Sequence, residues 1–384
     1  MLRKSLYLTG VLALGAAVVH AADEPASAGF NPRAYSMSHA TCKGTNRAKQ
    51  QEVDIDLEYV NVNPEAKTAI LMVHGWPSLW SSWSNQIQEL EQDYHLIVPN
   101  LRGFGNSQHP GDVKASSTMS DYVGDLVCIL EKEKVDKAIC AGHDWGAQVC
   151  YEAVRQRPDI FGGVIGITVP YIPSLPPHYI GIENFLQNFP KLTYQVYFDK
   201  STQTAIKELD LDIRRTVRAT LRTVDSPPPN HYLTSNSSFL EAYNEVQAIP
   251  PVPFFSEEEE TYFVEQYSIQ GFQYTLGFYC HESRHASWKF AADQGNATIP
   301  NPVLAIYPDE DPVADWVKIT AFLGTSRLIN KLTTEVVKGA HWVHIENPEP
   351  VNKAIRSWLE KTEIDVEKSS AEPKSTNEHL VDEL

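Results

Sequence analysis

A carboxylate occupies the point where the chain is predicted to turn sharply from a strand into a helix. Asp144 is the central residue of Gly-His-Asp-Trp-Gly at 142–146, between an apolar run and a helical pattern. Small residues two positions before and after the centre let the backbone pack closely and leave the central side chain exposed. An Asp that only caps the following helix would not explain both small residues. We therefore expect Asp144 to be a nucleophile, at the position that Ser occupies in serine hydrolases.

A carboxylate nucleophile implies a particular chemistry. Because aspartate is ionised at neutral pH, it needs no base to activate it. It would attack an alkyl carbon that bears a leaving group and form an ester, which a base-activated water then hydrolyses. Epoxides and haloalkanes are the natural substrates of such a route.

The base is expected to be a histidine late in the chain, held by a carboxylate. His341 lies in Gly-Ala-His-Trp at 339–342 and follows the nucleophile and the acid in the chain order of this type of triad. Asp311, after a predicted strand end, is the expected acid, and Asp309 is the alternative. Two further histidines, His143 and His344, are expected to support the structure.

Backbone N–H groups are needed for the oxyanion that forms when water attacks the ester. Trp145, the residue after the nucleophile, supplies one, and Trp76 is expected to supply the other. Trp76 lies in a His-Gly-Trp-Pro motif after the predicted third strand, and the residues of the motif that support it are His74, Gly75 and Pro77.

Strand and helix patterns alternate around these residues. Helices are predicted at 122–132 and 147–157, and strands are predicted at 53–60, 69–73, 94–99, 138–141, 164–168 and 303–307. Such alternation predicts an α/β fold with a mostly parallel twisted sheet, flanked by helices, in core segments 36–170 and 299–360. Between 171 and 298 the alternation stops and aromatic residues concentrate, which predicts a helical cap that covers a hydrophobic pocket. Within the cap, Ser256 and Glu259 match a capping box.

Composition excludes some classes of function. The formal net charge of −17 argues against nucleic acid and anionic membrane surfaces as partners. The five cysteines are odd in number and lack paired spacing, so they predict neither a disulfide framework nor a zinc site. Cys140 and Cys150 are expected to pack as small hydrophobic residues, although one disulfide of unknown partners stays open.

Both ends of the chain carry possible targeting signals. Residues 1–21 have the order of a cleaved secretory signal peptide, with a retained anchor as the alternative. Residues 22–35 are expected to be a leader and 361–384 a disordered acidic tail. The tail ends in Val-Asp-Glu-Leu, which resembles an endoplasmic-reticulum retrieval signal. Together with glycosylation sequons at Asn236 and Asn296, these features predict the secretory pathway, with lumenal retention or secretion.

From about residue 36 to residue 360, the chain resembles soluble-type epoxide hydrolases, the Asp-nucleophile branch of the α/β-hydrolase superfamily, and among them fungal members. The His-Gly-Trp-Pro motif, the segment around Asp144 and residues 339–348 match the family. The resemblance implies two cap tyrosines, Tyr194 and Tyr279, that hold and protonate the epoxide oxygen. The family often has Arg after the second tyrosine, where this chain has Cys280, and Tyr274 is the alternative.

The resemblance implies hydrolysis of epoxides to vicinal diols, with a role in detoxification and no cofactor or metal. The expected partners are a small hydrophobic epoxide and water, with no nucleic acid and no stable membrane span after signal cleavage. A haloalkane dehalogenase would share the Asp nucleophile but is expected to lack the tyrosine pair. A non-catalytic α/β-hydrolase relative that acts as a binding module would usually lose a triad position.

Overall fold

One eight-stranded sheet organises the described part of the chain, which in this computed structural model comprises residues 29–175 and 177–362. The strands are β1 (Met37–Asn46), β2 (Gln51–Val62), β3 (Ala69–Val73), β4 (His95–Pro99), β5 (Ala138–His143), β6 (Phe161–Ile167), β7 (Ile299–Pro308) and β8 (Ile329–Val337). Their spatial order is β1-β2-β4-β3-β5-β6-β7-β8. The β1–β2 and β2–β4 pairs are antiparallel, and all other pairs are parallel. The mostly parallel sheet confirms the predicted fold class.

Burial explains which strands the sequence revealed. Strands β3, β4, β5 and β6 are buried along their whole length, because helices cover both faces of a parallel sheet. Their continuous apolar runs are therefore visible in the sequence. In contrast, β8 lies at the sheet edge and has a largely exposed pattern, and no strand was predicted there.

Eleven helices lie in the described residues. They are α1 (Ser84–Leu90), α2 (Met119–Glu133), α3 (Trp145–Gln156), α4 (Tyr194–Lys200), α5 (Thr202–Leu211), α6 (Ile213–Thr220), α7 (Glu257–Gln270), α8 (His281–Gln294), α9 (Trp316–Leu323), α10 (Val343–Glu346) and α11 (Pro348–Lys361). Helices α4 to α8 all fall between β6 and β7, within the predicted cap segment. At the start of α7, Ser256 and Glu259 form the predicted capping box, with each side chain accepting from the backbone N–H of the other.

Two disulfides correct the expectation for the cysteines. Cys42 of β1 pairs with Cys128 of α2, and Cys140 of β5 pairs with Cys150 of α3, while Cys280 is buried and free. The first pair is separated by 86 residues and the second by 10. Neither separation matches a recognisable spacing, because strand–helix packing rather than local sequence brings the partners together.

Several predictions concern chain ends that the structure does not describe. The signal peptide at 1–21, residues 22–28 of the leader and residues 363–384 of the tail, with the Val-Asp-Glu-Leu terminus, lie outside the described residues. The described end of the leader forms a short 3-10 turn, Pro32–Ala34, and Arg33 in it pairs with Glu265 of α7 at 2.5 Å. Within the described ranges, no helix is long and apolar enough to cross a membrane.

Candidate active site

Asp144 lies at the tip of a tight turn between β5 and α3. Its backbone angles, φ 54° and ψ −122°, are rare for a residue with a side chain, and such strain is common at functional sites. A Cβ atom added at Gly142 would collide with the carbonyl of Gly146, and one added at Gly146 would collide with that of Val73. The backbone therefore requires glycine two residues before and two residues after Asp144, where the sequence pattern predicted small residues.

The structure brings the predicted triad together. His341 Nε2 lies 3.4 Å from Asp144 Oδ2, and His341 Nδ1 lies 2.7 Å from Asp311 Oδ2. The Asp311 side chain is fully buried. It also accepts hydrogen bonds from the backbone N–H of Val313 (2.7 Å) and from the indole of Trp316 (2.5 Å). These bonds fix the carboxylate, which in turn orients the imidazole.

The alternative acid and the other two histidines occupy supporting positions. Asp309 is exposed and accepts a hydrogen bond from the backbone N–H of Gly339 at 3.0 Å, so Asp311 is the carboxylate that contacts His341. His143 is buried, and its Nε2 lies 2.9 Å from the carbonyl of His341. His344 is also buried, with its ring 4.1 Å from that of His143. Both histidines therefore belong to the buried surroundings of His341 and not to the triad.

Charges govern the protonation of the triad. Burial alone would lower the pKa of His341, but the charges of Asp311 and Asp144, with hydrogen bonds to both, raise it to about 10. Burial likewise opposes ionisation of Asp144, but the hydrogen bond and charge of His341 prevail and lower its pKa. In the free protein, the pair is therefore an imidazolium beside an ionised carboxylate at neutral pH.

The His-Gly-Trp-Pro loop approaches the nucleophile from the neighbouring strand β3. The backbone N–H of Trp76 donates to Asp144 Oδ1 at 2.9 Å, so one predicted oxyanion donor already points at the carboxylate. Trp145 is the first residue of α3, and its N–H therefore has no acceptor within the helix. The Trp76 N–H thus contacts the carboxylate of the nucleophile, and the N–H of Trp145 belongs to the residue that follows it.

Residues of the same motif keep the loop in place. The backbone N–H of Leu101 donates to His74 Nε2 at 3.0 Å, which leaves His74 Nδ1 as the donor to the carbonyl of Gly75 at 2.8 Å. Burial lowers the pKa of His74 to about 4, so this neutral tautomer persists at neutral pH. The peptide bond between Trp76 and Pro77 is cis.

The two predicted tyrosines lie side by side in the cap. Tyr194 begins α4, Tyr279 ends the 3-10 turn Thr275–Tyr279, and their ring centroids are 5.7 Å apart. Burial raises the pKa of both phenols, and so does the negative charge of Asp144, so both stay protonated. The alternative, Tyr274, instead stacks on His109 with ring centroids 4.6 Å apart.

A small cavity of about 40 Å³ lies between the triad and the cap. Its walls are mainly aromatic and aliphatic, and it is lined by Trp76, Asp144, Tyr194, Thr220, Arg222, Pro228, Tyr232, Leu233, Phe239, Pro312, Val313, His341 and Trp342. Tyr279 does not line it, although its ring contacts those of Tyr194 and Trp145. Within residues 29–175 and 177–362, no cluster of three or more His, Cys, Asp or Glu side chains is arranged to hold a metal ion.

The sequence did not reveal two polar residues near the site, Thr275, which bonds the cap to the core, and Arg222, which lines the cavity. The indole of Trp76 donates to the hydroxyl of Thr275 at 3.1 Å, across 199 positions of sequence. Arg222 lines the cavity while its guanidinium donates to the backbone carbonyls of Pro250 and Pro251. No local pattern marks these residues, since their partners are distant in sequence.

Known proteins resemble this chain in sequence and in fold. The family model described as alpha/beta hydrolase fold matches residues 68–348. Epoxide hydrolase A of Mycobacterium tuberculosis is 28% identical over 321 residues, covering 81% of this chain and 96% of that protein. Epoxide hydrolase 3 of Siraitia grosvenorii is 29% identical over 304 residues, covering 76% and 92%. The crystal structure of Epoxide Hydrolase A from Mycobacterium thermoresistibile superposes with a TM-score of 0.70 at 25% identity, over 86% of this chain and all of that one.

The fold and the site define a hydrolase with Asp at the nucleophile elbow, which is the sharp turn between a strand and the following helix. The family match covers most of the chain, and the chain belongs to the alpha/beta hydrolase fold family.

Proposed function

We propose that this protein hydrolyses small hydrophobic epoxides to vicinal diols through a covalent ester on Asp144. The observation that carries the proposal is a carboxylate at the elbow, with an Asp-supported histidine on one side and a pair of buried phenols in the cap. The epoxide hydrolases that resemble the chain over most of their length support it.

In the first step, a carboxylate oxygen of Asp144 attacks one epoxide carbon, and the bond between that carbon and the ring oxygen breaks. The oxygen takes a proton from the tyrosine pair, Tyr194 and Tyr279. A phenol suits this role because it stays protonated until negative charge develops on the leaving oxygen. The cavity walls align the ring for attack opposite the breaking bond.

The ester changes the protonation of His341. Esterification removes the charge of Asp144, which is one of the causes that raise the pKa of His341. The pKa therefore falls, and the proton that His341 releases restores the tyrosine. The imidazole is now neutral and can act as a base.

In the second step, His341 takes a proton from water, which attacks the ester carbonyl of Asp144. The backbone N–H groups of Trp76 and Trp145 stabilise the oxyanion. Breakage of the ester bond releases the diol, and the carboxylic acid returns its proton to the leaving alkoxide. The imidazolium and the ionised Asp144 are thereby regenerated, so the net reaction consumes one epoxide and one water.

Dehalogenation is the main competing chemistry for an Asp nucleophile. The indole N–H of Trp76, a possible halide donor, is already bonded to Thr275, which favours the epoxide. We would incubate the purified protein with styrene oxide and, separately, with a bromoalkane, and measure diol and halide. Diol without halide is expected. Halide release without diol would overturn the proposal. If neither product formed, the result would favour a non-catalytic binding module.

We further propose that the protein works in the secretory pathway, where conversion of reactive epoxides to diols would be a detoxifying activity. Two disulfides suit an oxidising compartment, and both sequon residues, Asn236 and Asn296, are exposed. Protein secreted or retained by a eukaryotic host should lose mass on treatment with an N-glycosidase. Asn236→Gln and Asn296→Gln together should abolish that loss, and an untreated mass equal to the bare chain would contradict the proposal.

A further inference from the structure

One arginine outside the cavity contacts several parts of the candidate site. Arg284 of α8 donates from Nη2 to Gln195 Oε1 at 2.8 Å and from Nε to the carbonyl of Phe278 at 2.7 Å. Its guanidinium carbon lies 5.0 Å from the ring centroid of Trp145 and 5.7 Å from that of Tyr279. Within the described ranges it forms no ion pair with a carboxylate, so its positive charge is directed at these aromatic and amide groups.

The arginine determines which way the amide of Gln195 points. A guanidinium can only donate hydrogen bonds, so the amide oxygen of Gln195 must face Arg284. The amide nitrogen then faces the other way, and Gln195 Nε2 lies 3.3 Å from the hydroxyl oxygen of Tyr194. Because Gln195 is buried, bulk water does not compete for these hydrogen bonds.

The direction of this second bond matters for chemistry. Because Gln195 donates to the oxygen of Tyr194, the hydroxyl hydrogen of Tyr194 is not used on Gln195 and remains free for another acceptor. Tyr194 lines the cavity beside Asp144. The hydrogen bond from Gln195 and the charge of Arg284 also both oppose the burial-driven rise in the pKa of Tyr194.

We propose that Arg284 and Gln195 are positioning residues that hold Tyr194 as a hydrogen-bond donor toward the epoxide oxygen. The inference rests on the proposed function, in which Tyr194 donates to that oxygen during the first step. Neither side chain lines the cavity. Gln195 sets the direction of the hydroxyl, and Arg284 sets the direction of Gln195.

The test is Gln195→Glu, which keeps the shape of the side chain but reverses one hydrogen bond. A glutamate pairs with Arg284 through its charge, so the fold should not suffer. However, an ionised carboxylate can only accept, so the hydroxyl of Tyr194 must turn toward it and away from the epoxide. We expect the rate constant of ester formation to fall about tenfold or more, since general acid catalysis contributes about 10²–10⁴ and two phenols share it. The rate constant of ester hydrolysis should not change.

Both rate constants come from rapid-quench single turnovers of styrene oxide, with the ester quantified by the mass of the intact protein. The matched control is Gln273→Glu. Gln273 Nε2 likewise donates to its neighbour, the hydroxyl of Tyr274, at 3.1 Å, but this pair lies outside the cavity. This control should behave as the wild type.

A second measurement separates positioning from general damage. In a Tyr194→Phe background, Gln195→Glu should have no further effect, because the hydroxyl through which it acts is gone. Arg284→Met should slow ester formation through the same hydroxyl, with the same loss of effect in that background.

Equal rates for wild type and Gln195→Glu, or full additivity with Tyr194→Phe, would overturn the positioning role while leaving epoxide hydrolysis intact. Failure of the wild-type protein to open the epoxide would instead overturn the proposed function.

Discussion

The core and the cap position their functional side chains by different physical means. In the core, Asp144 is held by an unusual backbone conformation, and a fully buried carboxylate, Asp311, fixes His341. In the cap, the rings of Tyr194 and Tyr279 pack against each other. Hydrogen bonds also connect Tyr194 to Gln195 and Gln195 to Arg284. Backbone geometry restricts which residue is allowed at a position, whereas packing accepts many solutions. We therefore expect substitutions of the core residues to abolish activity and substitutions of the cap residues to reduce it partially.

The largest effect is expected for Asp144→Ala. Removal of the nucleophile removes the atom that forms the ester, so turnover of styrene oxide should fall by at least about 10⁴-fold, as for nucleophiles in other hydrolases. Steady-state diol formation measures it. Asp309→Asn, at the exposed alternative acid, is the matched control and should stay within a few-fold of the wild type. Residual turnover at a comparable rate in Asp144→Ala would exclude Asp144 as the nucleophile.

His341→Gln should separate the two steps of the reaction, ester formation and ester hydrolysis. Ester formation does not need a base, so it should continue, whereas ester hydrolysis should slow by at least about 10²-fold because water is no longer activated. Mass spectrometry of the intact protein should then show the substrate added to the chain. A variant that is inactive without any adduct would contradict the assignment of His341 to the second step.

Removal of the cap hydroxyls should give a graded loss. Tyr194→Phe and Tyr279→Phe should each slow ester formation by about tenfold or more, and the double variant by about 10²–10⁴-fold, since the two phenols share one task. Single-turnover rates measure this. Tyr274→Phe, which stacks on His109, is the control and should have little effect. A double variant no slower than the slower of the two single variants would mean that one phenol alone donates.

The two steps should also differ in their response to pH. Ester formation needs ionised Asp144, whose pKa lies below its usual value, so its rate should be constant through neutral pH. Ester hydrolysis needs unprotonated His341, so its rate should fall with decreasing pH, about tenfold per unit below the midpoint. That midpoint should lie below the value of about 10 in the free protein, because the ester lacks the charge of Asp144. A midpoint near 10 for hydrolysis would contradict this coupling.

The smallest effect is expected where the core meets the cap. Thr275→Val leaves the buried indole N–H of Trp76 without its acceptor, which should lower the free energy of unfolding by about 1–3 kcal/mol. Urea denaturation measures this, and Ser268→Ala on the exposed side of α7 is the control. Unchanged stability would show that the hydrogen bond contributes little to holding the two regions together.

The same contrast explains how much could be predicted from sequence. Gly142 and Gly146 are demanded by the turn, so the elbow and Asp144 were predictable, and the triad order then led to His341. Asp311 was the expected acid, but Asp309 stayed open as the alternative, because the choice depends on how a loop directs two neighbouring carboxylates. The link between Gln195 and Arg284 joins residues 89 positions apart, and sequence does not give side-chain direction. The disulfides were missed for the same reason.

The central claim is a covalent ester on Asp144, and a single turnover of styrene oxide in oxygen-18 water tests it most directly. The peptide that contains Asp144 and the diol product would both be analysed by mass spectrometry. The account predicts that the label appears in Asp144 and that the diol carries none, because water attacks the ester carbonyl and the second diol oxygen comes from the carboxylate. Label in the diol with none in Asp144 would mean that water opens the epoxide directly, and the account would be wrong.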